Sequence, residues 1–201
     1  MNPETIQKIL DETFPNPSIP LKHTSRFTLL IAVLLSARCT DNMVNRVTPV
    51  LFTLADTPAK MVKLTVAQIQ EIIRPCGLSP QKAQRIHDLS IILLEEHDGN
   101  VPSTIEELER LPGVGHKTAS VIMVQAFNQP AFPVDTHIYR CARRWGLSKG
   151  KSIKQVEGDL KKIFSKELWG KLHLQIIHFG RTHCPSRGHK KEVCPICSSI
   201  K

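Results

Sequence analysis

The sequence predicts an all-α protein. Apolar residues recur at helical spacing along almost all of its 201 residues, with no convincing run of alternating strands. Aromatic residues make up 5% of the chain, low for a sheet-rich sandwich or barrel. Breaks at residues 15–20, 57–58, 75–80, 97–103, 111–115 and 128–135 delimit about ten short helices, with no internal repeat and no low-complexity tract.

Taken in order, Ile6, Ile9 and Leu10 mark a first helix face. Phe27 to Ala37 (FTLLIAVLLSA) is apolar on every side, which predicts a buried helix, and it is well short of the roughly 20 residues of a membrane span. Ile69, Ile72 and Ile73, then Ile86, Leu89, Leu93 and Leu94, mark two further helices. Ser103-Thr104-Ile105-Glu106 has capping-box spacing and opens a helix that LPGVG (111–115) breaks. His116 to Phe127 follows as a second helix with Ala119, Ile122, Met123 and Ala126 inward. The Pro-rich stretch 128–133 is the best domain boundary, and Asp135 behind it reads as the N-cap of the next helix.

Charge divides unevenly along the chain. The total is 27 Lys plus Arg against 18 Asp plus Glu, or +9; Tyr139 to Lys201 alone holds 15 against 4, or +11. A polyanionic partner is the first implication. The N-terminus has no basic stretch followed by an apolar run, so no export signal is read, a cytoplasmic protein without a membrane partner is expected, and the six cysteines are not read as disulfides. Cys39, Cys76 and Cys141 stand alone and read as small buried residues, whereas Cys184, Cys194 and Cys197 suggest metal ligation.

The helix, hairpin, helix at 103–127 offers chemistry. Gly113 and Gly115 permit backbone angles closed to other residues, and so little side chain lets a phosphate approach the N–H groups at the next helix start. Lys117 lies in that helix's first turn, where the dipole, and burial if present, would favour a free amine able to form a Schiff base. Asp135, besides capping, can accept a proton from an attacking amine and stabilise an oxocarbenium-like transition state.

LPGVGHKTASVIMVQAF followed by PVDTHIYRCARRWGL resembles the helix-hairpin-helix DNA glycosylases, closely the endonuclease III branch, with Lys117 and Asp135 at that branch's lysine and aspartate positions. LLSARCTDNMVNRV, PCGLSPQKAQRI, GNVPSTIEELERLPGVG and HFGRTHC extend the resemblance over nearly the whole chain. It implies a six-helix lobe over residues 19–129, a second lobe from 1–18 and 130–201, and a DNA cleft between them. The implied activity is removal of oxidised pyrimidines from duplex DNA, with strand cleavage at the abasic site through a Lys117 Schiff base. A monomer acting on damaged or abasic double-stranded DNA is expected, nucleoid-associated if prokaryotic. A non-catalytic DNA clamp and a monofunctional glycosylase are the alternatives.

By the same resemblance Gly113, Val114, Gly115 and His137 contact DNA. Arg38 stands where the family has a Gln plug, and Leu78 matches its apolar wedge. The family's second lobe carries a 4Fe-4S cluster on four cysteines. Here three are present, with nine residues between Cys184 and Cys194 and two between Cys194 and Cys197; the expected fourth position lies two residues past Lys201. His183 or His189 could supply a fourth ligand. Three Cys and one His would equally suit tetrahedral zinc, and spacing does not separate the two metals.

Overall fold

The computed structural model describes residues 2–199, and among them every regular element is a helix. The chain divides into two compact units, a central one of Pro20–Phe127 and a terminal one joining Met1–Ile19 to Asn128–Lys201. Among the described residues no helix is long and apolar enough to cross a membrane.

The central unit is built round α2 (Arg26–Ser36), whose residues from Phe27 to Leu35 are all buried. An all-round apolar helix is stable only with neighbours on every side. These are α3 (Asp41–Leu54), α6 (Ser79–His97) and α8 (His116–Phe127). The single turn α4 (Pro58–Met61) and α5 (Val66–Ile73) pack on α6. The start of α2 is set by reciprocal bonds: the Thr28 amide donates to Ser25 Oγ, and the Ser25 amide donates to Thr28 Oγ1. α7 (Ile105–Arg110) packs against α8 across the hairpin. Its cap is Thr104, one residue later than Ser103, because Thr104 and Glu107 repeat the same spacing: the Glu107 amide donates to Thr104 Oγ1, and that hydroxyl donates to Glu107 Oε2 at 2.6 Å.

In the terminal unit α1 (Pro3–Thr13) and α9 (Thr136–Arg144) pack on α11 (Trp169–Thr182), and α10 (Ile153–Ile163) packs on α9. The short α12 (Pro195–Ser198) reaches α1. Trp145, fully buried, meets Phe179 edge-on with ring centroids 5.5 Å apart. α1 is tied to α11 by Asp11, whose Oδ1 accepts from Lys171 Nζ and from Gln175 Nε2 at 2.9 Å. Those bonds hold the Asp11 carboxyl below its usual range against the opposing effect of burial.

Leu30 is fully buried at the middle of α2, so Leu30→Ala should cost about 2–5 kcal/mol, read as a lowered urea midpoint.

Candidate active site and metal centre

The hairpin of the central unit closes through the Val114 amide, which donates to Leu111 O at 3.0 Å, while the Val114 side chain is buried. Val114 therefore anchors the turn from inside. Gly113 has φ +82°, and a Cβ there would meet Arg85 Cδ at 2.8 Å and Leu34 Cδ1 at 3.2 Å, so glycine is required twice over. Gly115 differs from Gly113. Its φ is not positive, and an added Cβ would meet nothing within 4 Å, so the protein's own packing does not demand glycine there.

α8 begins immediately after Gly115, whose carbonyl accepts from the Ala119 amide. His116 Nδ1 pairs with Glu109 Oε1 at 2.7 Å, bracing the hairpin from α7. Lys117 is exposed in this first turn. The helix N-terminus remains, with its amides and dipole favouring an anion beside it.

Arg38 and Leu78 share a backbone feature that their sequence neighbours did not announce. Each has left-handed φ, +55° and +50°. Among the described residues the other two such non-glycine residues are Asp98 and Asn128, types that tolerate this region, whereas for a Leu it is an outlier costing about 1–2 kcal/mol. Strain of this kind persists where the surrounding structure enforces it and gathers at functional sites. Leu78 is 49% exposed, and Arg38 is exposed too. Ala37, Leu78 and Gly113 line one cavity of about 240 Å³ with Leu34, Gln81, Lys82 and Arg85, so the Arg38 turn, the Leu78 turn and the hairpin border a common space.

Lys82 was missed in the sequence. Its side chain is buried, and Nζ donates to Leu35 O at 2.8 Å and to Cys76 O at 3.1 Å, joining the end of α2 to the turn before Leu78. Burial lowers its pKa, opposed by the nearby Cys39 and Cys76. The signal was available: Lys82 lies on the apolar stripe of Ile86, Leu89 and Leu93. Cys76 sits beside it, and burial, with Cys39 adding to the effect, pushes the Cys76 thiol up to about 12.

In the terminal unit Asp135 is half-buried and caps α9, its Oδ1 accepting from the His137 and Ile138 amides at 2.8 and 2.9 Å. Both bonds fall on one oxygen, which leaves Oδ2 outside the cap. His137 Nδ1 lies 3.2 Å from Arg140 Nη2. Arg140 and Arg144 belong to the basic third but face inward. Arg140 donates to Gly180 O and Cys184 O, and Arg144 Nη1 reaches Cys184 Sγ at 3.2 Å and Pro185 O at 3.0 Å.

Cys184, His189, Cys194 and Cys197 bring ligand atoms within 4.8 Å of one another, and the three cysteines are buried. His189 joins the group; His183 instead lies against Phe179, ring centroids 4.9 Å apart. Cys141, buried as expected, acts with Arg144 to hold the Cys184 thiol well below its ordinary range.

Residues 31–166 match the HhH-GPD superfamily base excision DNA repair proteins. Over 98% of its length the chain is 39% identical to endonuclease III of Bacillus subtilis (strain 168), covering 92% of that protein. It is 43% identical to endonuclease III of Escherichia coli (strain K12), over 94% of this chain and 88% of that one. A solved trapped endonuclease III–DNA covalent intermediate superposes with TM-score 0.92 at 39% identity, over 96% of this chain and 92% of that one.

Gly113→Ala should lower stability by about 1–3 kcal/mol in thermal unfolding, whereas Gly115→Ala should stay within about 0.5 kcal/mol of the parent. Leu78→Gly should hold or raise Tm, because released strain offsets the added freedom of the unfolded chain.

Proposed function

The chain belongs to the endonuclease III family of base excision DNA repair proteins, a bifunctional DNA glycosylase and abasic-site lyase, and we propose that its residues divide that work as follows. The substrate is an oxidised pyrimidine in duplex DNA, and the abasic site left after its removal. The observation that carries the reading is an exposed lysine, Lys117, in the first turn of the helix that follows a glycine hairpin. A relative that forms a covalent intermediate with DNA supports it, since such a bond requires a nucleophile on the protein, and that favours an enzyme over a DNA clamp.

A damaged base leaves the stack more cheaply than an intact one. Arg38 and Leu78, held in strained turns at the rim of one cavity, enter the gap it leaves. Backbone amides at the Gly115 end of α8 take a phosphate, and the missing Cβ at Gly115 leaves room for it. Lys117 Nζ attacks C1′ as the glycosidic bond to the base breaks, and the base leaves as an anion that takes up the amine's proton by way of Asp135. Asp135 receives the proton that the attacking amine gives up and stabilises positive charge on the sugar. The sugar ring then opens to an imine between C1′ and Nζ. Loss of a proton from C2′ breaks the C3′–O bond and expels the 3′ phosphate. Hydrolysis of the imine returns Lys117.

His137 reaches DNA from the first turn of α9. Cys184, Cys194 and Cys197 hold a metal that ties the 185–193 loop to the body of its unit. By family this would be a 4Fe-4S cluster, with zinc as the alternative, and in either case its contribution is structural. Exposed Lys149, Lys151 and Lys154 supply non-specific attraction to phosphate.

Borohydride should trap a protein–DNA adduct with abasic DNA in the parent and none in Lys117→Ala; an adduct at the parental rate in that variant would refute the assignment. Asp135→Asn keeps a good N-cap, so its single-turnover rate should fall about 10²–10⁴-fold with Tm nearly unchanged. Affinity for undamaged duplex should fall steeply with salt, and triple Glu replacement of Lys149, Lys151 and Lys154 should flatten that slope. Gly115→Ala should weaken DNA binding at unaltered stability.

A further inference from the structure

Four side chains meet in the C-terminal loop of the terminal unit with the spacing Cys184-x4-His189-x4-Cys194-x2-Cys197. Their mutual distances discriminate between metals. Zn–S bonds of about 2.3 Å at tetrahedral angles place two thiolate sulfurs about 3.8 Å apart. A cuboidal four-iron cluster binds each thiolate through a different iron and spreads the sulfurs to about 6 Å. Cys184 Sγ and Cys197 Sγ are 3.9 Å apart, and no pair of the four ligand atoms exceeds 4.8 Å. The polyhedron has the size of one ion. It is too small to enclose a cluster.

His189 provides a second, independent observation. Its Nε2 is buried with no hydrogen-bond partner, which leaves a polar ring atom without compensation in the protein alone. Gly188, at φ +68°, makes the turn that brings the ring in, and His183, the other nearby histidine, is engaged with Phe179. Three thiolates and a neutral imidazole around a divalent ion carry a net charge of −1. The Arg144 guanidinium, 3.2 Å from Cys184 Sγ, answers that charge as an outer-shell donor.

We propose that Cys184, His189, Cys194 and Cys197 form a tetrahedral site for a single zinc ion, with His189 as fourth ligand, in the place where the family resemblance implies an iron–sulfur cluster. The inference rests on the reading that these cysteines bind metal, but it fixes which metal and which fourth ligand. A soft, mostly sulfur, tetrahedral donor set suits zinc. Such an ion does no redox chemistry of its own, so the site would lack the iron-centred oxidation of a cluster.

The test is metal analysis of the full chain, expressed with both iron and zinc supplied and purified without oxygen. About one zinc per chain, a colourless protein and, after exchange with cobalt, the intense visible bands of tetrahedral cobalt–thiolate are expected. His189→Ala should weaken zinc at least tenfold in competition with a chromophoric chelator. His189→Cys should retain it, and Cys141→Ala should leave the stoichiometry unchanged. About four irons per chain with a brown colour would overturn the zinc assignment. One zinc held equally well by His189→Ala, or lost in Cys141→Ala, would overturn the place of His189. A parent chain that takes up neither metal would overturn the underlying metal reading as well.

Discussion

The terminal unit depends on two guanidinium groups one helical turn apart. From α9, Arg140 and Arg144 reach the end of α11 and the start of the cysteine loop, satisfying the carbonyls of Gly180, Cys184 and Pro185 and the sulfur of Cys184. Charge-assisted bonds to partly buried carbonyls are among the stronger polar contacts, and deleting the donor would leave several acceptors unsatisfied. Because α11 in turn holds α1 through Asp11, Lys171 and Gln175, the clamp extends to the N-terminal helix. The helix that carries the clamp is the one capped by Asp135. A fixed α9 therefore means a fixed carboxylate.

A comparable device operates in the central unit. Lys82 replaces water for two carbonyls that the end of α2 and the turn after α5 would otherwise leave inside. It is a cation used as a spacer between two turns, and those turns lead to the left-handed residues Arg38 and Leu78. In the role proposed for Arg38 and Leu78, a side chain that inserts between bases has to stand out from the surface in a single direction. A strained backbone held by a buried ammonium achieves this better than a relaxed loop, which would lose conformational entropy on binding.

The basic third of the chain thus has two populations. Arg140, Arg144, Lys161 and Lys171 are occupied by carbonyls or carboxylates of the protein, whereas Lys149, Lys151 and Lys154 face solvent. Net charge pointed to a polyanion, and the structure separates the cations that the protein itself holds from those open to one.

What the sequence determined by itself was whatever is decided within a few residues. The all-round apolar stretch from Phe27 to Leu35 can only be a buried helix, Asp135 caps because the next helix starts beside it, and Lys117 stands in a first turn because LPGVG ends the helix before it. Even the misplacement of the α7 cap by one residue, from Ser103 to Thr104, was a choice between two overlapping local patterns. Tertiary structure decided what depends on groups distant in the chain. Lys82 lies on an apolar stripe, and the carbonyl its ammonium end needs comes from Leu35, 47 residues away. His183 and His189 were equivalent as sequence, and they were separated by which ring fell against Phe179 and which beside three thiolates. Residue spacing limits how far apart ligands can lie, but the separation of the Cys184 and Cys197 sulfurs, 3.9 Å, is set by the tertiary packing of the segments that carry them.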